Sequence, residues 1–500
     1  MKRIISHSKN TERNRDSSLD KEIPIKIYKK IEENKKCIKT YFSKCFDLTI
    51  REVPFFNIED RKVLVVYLEG LSQKKLIEEF LISKLNSDIP KDNSCDEREL
   101  VKYKLGIKDT EVYEDIQSSV NAIASGNPVI FVDGLDNSFE IDLSTPPGRN
   151  INEPSTESVT RGPREGFTES ITQNVVLIRK KIKNYNLKVE KMRIGEQTNT
   201  NVVISYLDNK VNRQVLAELK RRLKRINIES VLDTNYIEEY ISDSYTTMFP
   251  LIFRTEKPDI AAAKILEGKI IIIADGSPVV LSVPTLFTEF LHTGEDYYTR
   301  YSSAILNRTV RFISLILTIL LPSLYVALTT FHQELIPTNL VISIISSRQN
   351  VPFPALWENT LMLLSFEIMR EAGVRMPKVL GPTINIVGAL VLGDAAVKAG
   401  IVGTSTVVVV AITAITKFTI PSLELEVPIV IIRFFLMLLS GYLGFTGLIF
   451  GILLINIRLV SMRSFGIPYM FPICPFSIKS NKDELFRAPM KKLKKKDLKL

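Results

Sequence analysis

The stretch FPALWENTLMLLSFEIMREAGVRMP, residues 353–377, sets Glu358, Glu367, Arg370, Glu371 and Arg375 inside strongly apolar sequence. At 100° per residue, Trp357, Leu361, Met362, Ser365, Phe366, Ile368, Met369 and Ala372 gather on one side of a helix. Asn359, Thr360, Glu367, Arg370, Glu371 and Arg375 gather on the other. Local pairs, Glu367 with Arg370 and Glu371 with Arg375, contribute a few tenths of a kcal/mol each. A charge in hydrocarbon costs about 3 kcal/mol or more. The helix is therefore expected at an interface, or with its polar face on water inside an assembly. Acids on such a face lower the barrier to cations. Glu358, Glu367, Arg370, Glu371, Arg375 and, at a break further on, Asp394 are the candidate pathway or gating residues. Glu358 sits amid the apolar arc and needs a partner or a water.

Other chemistry is absent where its motifs would stand. Cys37, Cys45, Cys95 and Cys474 form no CxxC pair, and His7, His292 and His332 lie far apart, so neither a metal site nor a disulfide is expected. There is no GxGxxG or GxxxxGK[ST], and Gly268-Lys269 leads into the strand-like IIII rather than a helix. No GxSxG or HExxH occurs. The reading is of a protein that is not an enzyme and binds no cofactor.

Charge and hydropathy divide the chain. Apolar residues concentrate after residue 312, while the formal net charge is +10. Residues 479–500 hold nine Lys/Arg against three acids. Beside membrane-like sequence, such a tail marks the cytoplasmic side and attracts anionic lipid. Nucleic acid is not expected, because no aromatic residues interleave the basic ones. The first residues carry no continuous apolar h-region, so the N-terminal part is expected to stay in the cytoplasm.

Two α/β units are legible before the apolar region. VLVVYLEG (63–70) followed by LSQKKLIEEFLISKL (71–85) reads as strand then helix. Residues 115–143 read as a helix, a Gly-Asn-Pro stop and two strands joined at Asp133-Gly134. The pattern returns at 201–223 and 258–284, with offsets of 139 at Tyr67/Tyr206 and 142 at Asp133/Asp275. A tandem of related subdomains is the expectation, and a shared strand order is its test. Asp133 and Asp275 are assigned to hairpin turns. The Pro- and Gly-rich connector 144–170 carries Arg161, Arg164 and Glu165, read as either a subunit contact or a solvated hinge.

The expected organisation is a mobile basic N-terminus (1–45), subdomain 1 (46–145), a connector and the start of subdomain 2 (146–200), subdomain 2 (201–300), a transmembrane domain (301–475) and a basic tail (476–500). Residues 312–331 are uncharged and long enough to span, with a kink expected at Pro322. Residues 379–416 are broken by Gly393-Asp394, either lining a cavity or turning a simple hairpin. Residues 427–456 form one tilted helix or a tight pair, their glycines allowing close approach. Four crossings are expected, or two if segments re-enter. The fold class is thus an α/β region of two related subdomains followed by an all-α transmembrane domain of about four spanning helices plus an amphipathic helix.

Several long motifs, the opening stretch with GPTINIVGALVLGDAAVKAGIVG, MRSFGIPYMFP, CFDLTIREV, VVYLEGL, RGPREGFTE and IIIIADGSP, together resemble the A-subunit family of GerA-type spore germination receptors. The resemblance covers about residues 40 to 475. It implies a protein of the inner spore membrane that works with B and C subunits, self-associates into an ion channel and responds to a nutrient held by the B subunit. A SpoVA-associated A-like channel subunit shares this architecture. A non-conducting scaffold and a secondary transporter remain as alternatives from other classes.

Overall fold

The structure, a computed structural model, describes residues 26–54, 62–72, 77–79, 111–141, 154, 157, 161–375, 393–476, 483 and 487–489. Much of the expected helix 71–85, parts of the connector and segment 379–416, and most of the tail lie outside these residues.

The first unit opens with helix α1 (Ile31–Tyr41), inside the segment expected from sequence to be mobile. Ile31 and Ile38 bury its apolar stripe on the first sheet, which corrects that expectation. The strands are β1 (Leu48–Pro54), β2 (Lys62–Leu68), β3 (Val112–Tyr113), β4 (Val129–Val132) and β5 (Ser138–Glu140), with α2 (Ile116–Ser125) before β4. In the second unit α3 (Ile171–Lys181) precedes β6 (Leu187–Ile194) and β7 (Thr200–Leu207). Helices α4 (Arg213–Arg225) and α5 (Thr234–Ile241) lead to β8 (Phe253–Thr255). Helix α6 (Pro258–Leu266), β9 (Ile270–Ala274) and β10 (Val280–Val283) complete it.

The sheet orders are β1-β2-β4-β5-β3 and β6-β7-β9-β10-β8, the same topology twice, with antiparallel pairing throughout. Alternation within β2 and β7 explains how both faces fill. Leu64 and Leu68 turn toward α1 and α2, and Val203 and Leu207 turn toward α3 and α6. Tyr67 and Tyr206 face the opposite way. Strands buried on both faces read as continuous apolar runs.

The repetition extends to polar detail. Asp133 Oδ1 accepts the backbone N–H of Ile31, the first residue of α1, at 3.2 Å; Asp275 Oδ1 accepts that of Ile171, the first residue of α3, also at 3.2 Å. Asn34 and Asn174 each clamp the chain ahead of their helix, bonding both the N–H and the C=O of Tyr28 and of Thr168. The aspartates assigned to turns therefore also satisfy the free donors of a helix start. The two units are locked together by Arg179 on α3, whose guanidinium meets Asp47 through bonds of 2.6 and 2.9 Å with both side chains buried.

Beyond the sheets, α7 (Tyr301–Thr330) runs through Pro322. Helices α8 (Thr338–Arg348), α9 (Ala355–Arg375), α10 (Thr404–Lys417) and α11 (Glu426–Ser461) follow. Among the described residues two segments, Tyr301–Thr330 and Leu423–Ser461, are long and apolar enough to cross a membrane.

The second of these folds back on itself. Gly444 leaves the helical region with φ 61° and ψ −141°. A straight 36-residue helix would be about 54 Å long. Yet Glu424, just before α11, accepts the N–H of Arg254 at 3.1 Å, and Ser464, just after it, donates to the carbonyl of Leu251 at 2.8 Å. Both feet therefore stand on the second sheet unit. Across the arms, a Cβ on Gly451 would lie 2.5 Å from Leu436 Cδ2, so the glycine series is what lets the arms touch. At the tip, Gly444 meets Phe331 and His332 beyond the far end of α7. Of the two alternatives read from sequence, α11 is the tight pair. The ends of the helices nearest the sheets are termed proximal and the Gly444 end distal.

Candidate functional site

Pro354 precedes α9 and leaves its carbonyl to accept the Glu358 N–H at 3.1 Å, so Glu358 falls in the first turn, at the distal end. Its side chain is fully buried. Oε2 takes the Nε–H of Arg348 at 3.1 Å, from the last turn of α8. Oε1 takes the backbone N–H of Gly403, the N-cap of α10, at 2.6 Å. A carboxylate at two helix starts suits both dipoles, and bonds to an ionised acceptor are the strong kind. Gly403 has no room for a side chain, since a Cβ would sit 2.9 Å from Arg348 Cγ. The partner that Glu358 requires is thus Arg348 together with a main-chain amide.

About two and a half turns along the same helix, Glu367 is the hub of a larger cluster. Its carboxylate receives Lys417 Nζ at 3.0 and 2.9 Å, Arg433 Nη2 at 2.8 Å and Arg370 Nε at 3.0 Å. Arg370 also pairs with Glu426 at the start of α11. Lys417 and Arg433 are 3% and 0% exposed, so these charges lie inside the helical bundle. Lys417 ends α10 and Glu426 begins α11, each at the terminus its charge favours. Three cations face two acids, and the Nε and Nη1 of Arg433 have no hydrogen-bond partner. Chemically this is a lock between α9, α10 and the first arm of α11, carrying an excess of positive charge.

The outer face of α9 carries Trp357, Leu361, Leu364 and Ile368, each exposed, spaced by four, three and four residues. The helix is thus apolar outward and ionic inward, the reverse of a water-soluble surface helix. Met362 and Leu363 are buried beside Glu358 and Asn359, so the inner face is mixed where the wheel gave two clean arcs. In a single chain the face bearing Glu367 meets protein rather than open water.

The remaining candidates lie elsewhere. Glu371 and Arg375 pair at 2.8 Å on an exposed turn, and Asp394 pairs with Lys398 at 2.5 Å, also exposed. Such pairs contribute little to stability. Glu165 is bonded by Lys181 of α3 at 2.9 Å, while Arg161 and Arg164 are exposed on the loop that enters α3. Within that loop Gly162, at φ 130°, lies against the Tyr298 ring, where a Cβ would come within 2.7 Å. Sequence reasoning missed Arg348, Lys417, Arg433 and Glu426. Their signal was a lone charge in or beside an apolar run, which by default marks a functional position in a membrane protein.

Paired α/β units joined to a bundle with an ionic core, in which two helices among the described residues are fit to cross a membrane, suggest a membrane-associated protein. Residues 36–498 match the family of the Bacillus/Clostridium GerA spore germination protein, and the chain belongs to that family. It is 41% identical to spore germination protein KA of Bacillus subtilis (strain 168) over 94% of this chain and 86% of that one. It is 38% identical to the uncharacterized membrane protein YfkQ of the same organism, over 92% and 89%. Spore germination protein GerLA of Bacillus cereus is 36% identical over 90% and 91%. The crystal structure of the N-terminal domain of the A subunit of the Bacillus megaterium spore germinant receptor GerK3 superposes with a TM-score of 0.43 at 29% identity, covering 53% of this chain and 99% of that one.

Proposed function

We propose that this chain is a non-catalytic A-type subunit of a spore germinant receptor. It resides in the inner spore membrane with both termini cytoplasmic, acts with B and C subunits and self-associates into an ion channel that opens when a nutrient engages the B subunit. The observation that carries the reading is the Glu367 cluster: five charges held within an apolar bundle, in a chain of the GerA family. Buried charges of this kind are costly and mark ion pathways and switches. Both feet of the hairpin return to the second sheet unit, which supports chain ends on one side. Glu367 acts as the gating residue, because a change of partner at this one carboxylate frees Lys417 and Arg433 together.

The test is ion flux through the assembly reconstituted with its partner subunits. Glu367→Gln and Glu371→Gln are expected to change flux, the former more. Unchanged flux in both, or a chain that stays monomeric with partners supplied, sinks the channel reading and leaves a scaffold.

A further inference from the structure

A cavity of about 380 Å3 lies where the second sheet unit meets the helical region. Segment 253–257, running from β8 to the start of α6, forms one wall, and residues 421–424, which join α10 to the hairpin, form another. Glu157, from the connector, also lines the cavity. The volume falls in the range of about 300–1,000 Å3 typical of small-molecule sites.

Polar atoms of both signs in this cavity lack hydrogen-bond partners. Lys257 is 1% exposed and its Nζ makes no hydrogen bond. The carboxylate oxygen paired with it, Asp259 Oδ2, is 3.9 Å away and already accepts the Tyr298 hydroxyl at 2.8 Å. Glu424 uses Oε1 for the Arg254 N–H, and its Oε2 has no partner. Glu157 accepts the Thr255 hydroxyl at 2.8 Å and a backbone hydrogen bond from Glu256. Burial pushes its carboxyl up to about 7, against the pull of those hydrogen bonds. Other charges of the wall are engaged: Glu289 pairs with Lys264 and Lys269, and Arg254 with Glu238.

A buried ammonium without hydrogen bonds is strongly disfavoured, as is a buried carboxylate with a free oxygen. A simple anion would serve Lys257 but face Glu157 and Glu424, and a simple cation would meet the reverse conflict. We propose that this cavity binds a small zwitterion, its anionic group bonded to Lys257 and its ammonium group held by Glu157 and Glu424. The occupant touches the sheet unit and the foot of the hairpin at once, so its binding ties one to the other. The lining residues named are all of this chain, and the proposal goes beyond the receptor reading.

The test uses the full-length chain in detergent, without partner subunits. Glycine, β-alanine, γ-aminobutyrate and 5-aminopentanoate vary the separation of the two charges, with propylamine and propionate as single-charge controls. Calorimetric titration and the thermal midpoint are the readouts. At least one of the four is expected to bind saturably and about tenfold or more tighter than either control. Lys257→Met and Glu424→Gln should each weaken it about tenfold. If Lys257→Met does not fold, Glu157→Gln, which keeps the shape of the neutral acid, supplies the same readout. Absence of binding across the series, equal binding of a control, or variants that bind like the parent overturns the proposal. Because no partner is present, failure here leaves the receptor reading standing, and failure of the flux test leaves this one.

Discussion

Glu367 and Arg433 meet at 2.8 Å although 66 residues separate them in sequence, and the guanidinium is fully buried. Removing one member of a buried pair strands the other, at a cost of about 3–5 kcal/mol. Glu367→Gln strands both Lys417 and Arg433 and is expected to lower the thermal midpoint of the full chain in detergent substantially. Arg433→Met alone leaves Glu367 with Lys417 and Arg370 and costs less. The double variant should fall by less than the sum of the two; additive losses would mean that the pair does not interact.

Asp133 and Asp275 make the same cap in the two units. Replacing either by Ala is expected to cost about 1 kcal/mol. The sites share no partner, so the two losses should add. Denaturation of the single and double variants checks this, and a neutral Asp133→Ala would show that α1 does not depend on its cap.

The hairpin is open to cross-linking. Leu436→Cys with Gly451→Cys places two thiols on facing arms, because Leu436 packs where a side chain at 451 would begin. In a continuous helix the same positions would be about 22 Å apart. A short bis-maleimide should therefore close a loop within one chain, read as faster migration after denaturation. Linkage only between chains would contradict the folded-back arms.

Glu157 makes stability depend on pH with a definite sign. Its carboxyl titrates at about 7 in the folded chain, against about 4.3 when unfolded. The folded state binds the extra proton between those values, so stability falls as pH rises through this window and is level above it. The loss attributable to Glu157 is on the order of 3 kcal/mol. Glu157→Gln should flatten that part of the profile between pH 5 and 8. An identical slope in parent and variant would assign it to other carboxyls near the cavity, Glu424 and Glu238, the latter also pushed up by burial.

The repeated sheets were readable because a strand buried on both faces writes itself as an apolar run, and both copies end at an Asp-Gly turn. The caps were not, since Asp133 reaches a helix start 102 residues earlier and Asp275 one 104 residues earlier. Periodicity showed that α9 has an ionic face, but a helical wheel describes one helix without its neighbours. Which cations meet Glu367 depends on how α10 and α11 pack, and nothing in the sequence spacing ties Lys417 or Arg433 to it. Glu358 was recognisable as needing a partner because it broke the pattern. Its partner was hidden for a further reason: half of it is the main chain of Gly403, and backbone amides leave no mark in composition.

Between Arg433 and Arg458 the chain contains no charged residue, and Gly444 stands close to the middle of that interval. Biogenesis is simpler for such a loop. Carrying a charged loop through hydrocarbon would add about 3 kcal/mol or more per charge, whereas this tip exposes only Tyr442, Thr446 and apolar side chains. Arms inserted together, tip first, would leave the arginines at their bases to limit how far the tip travels.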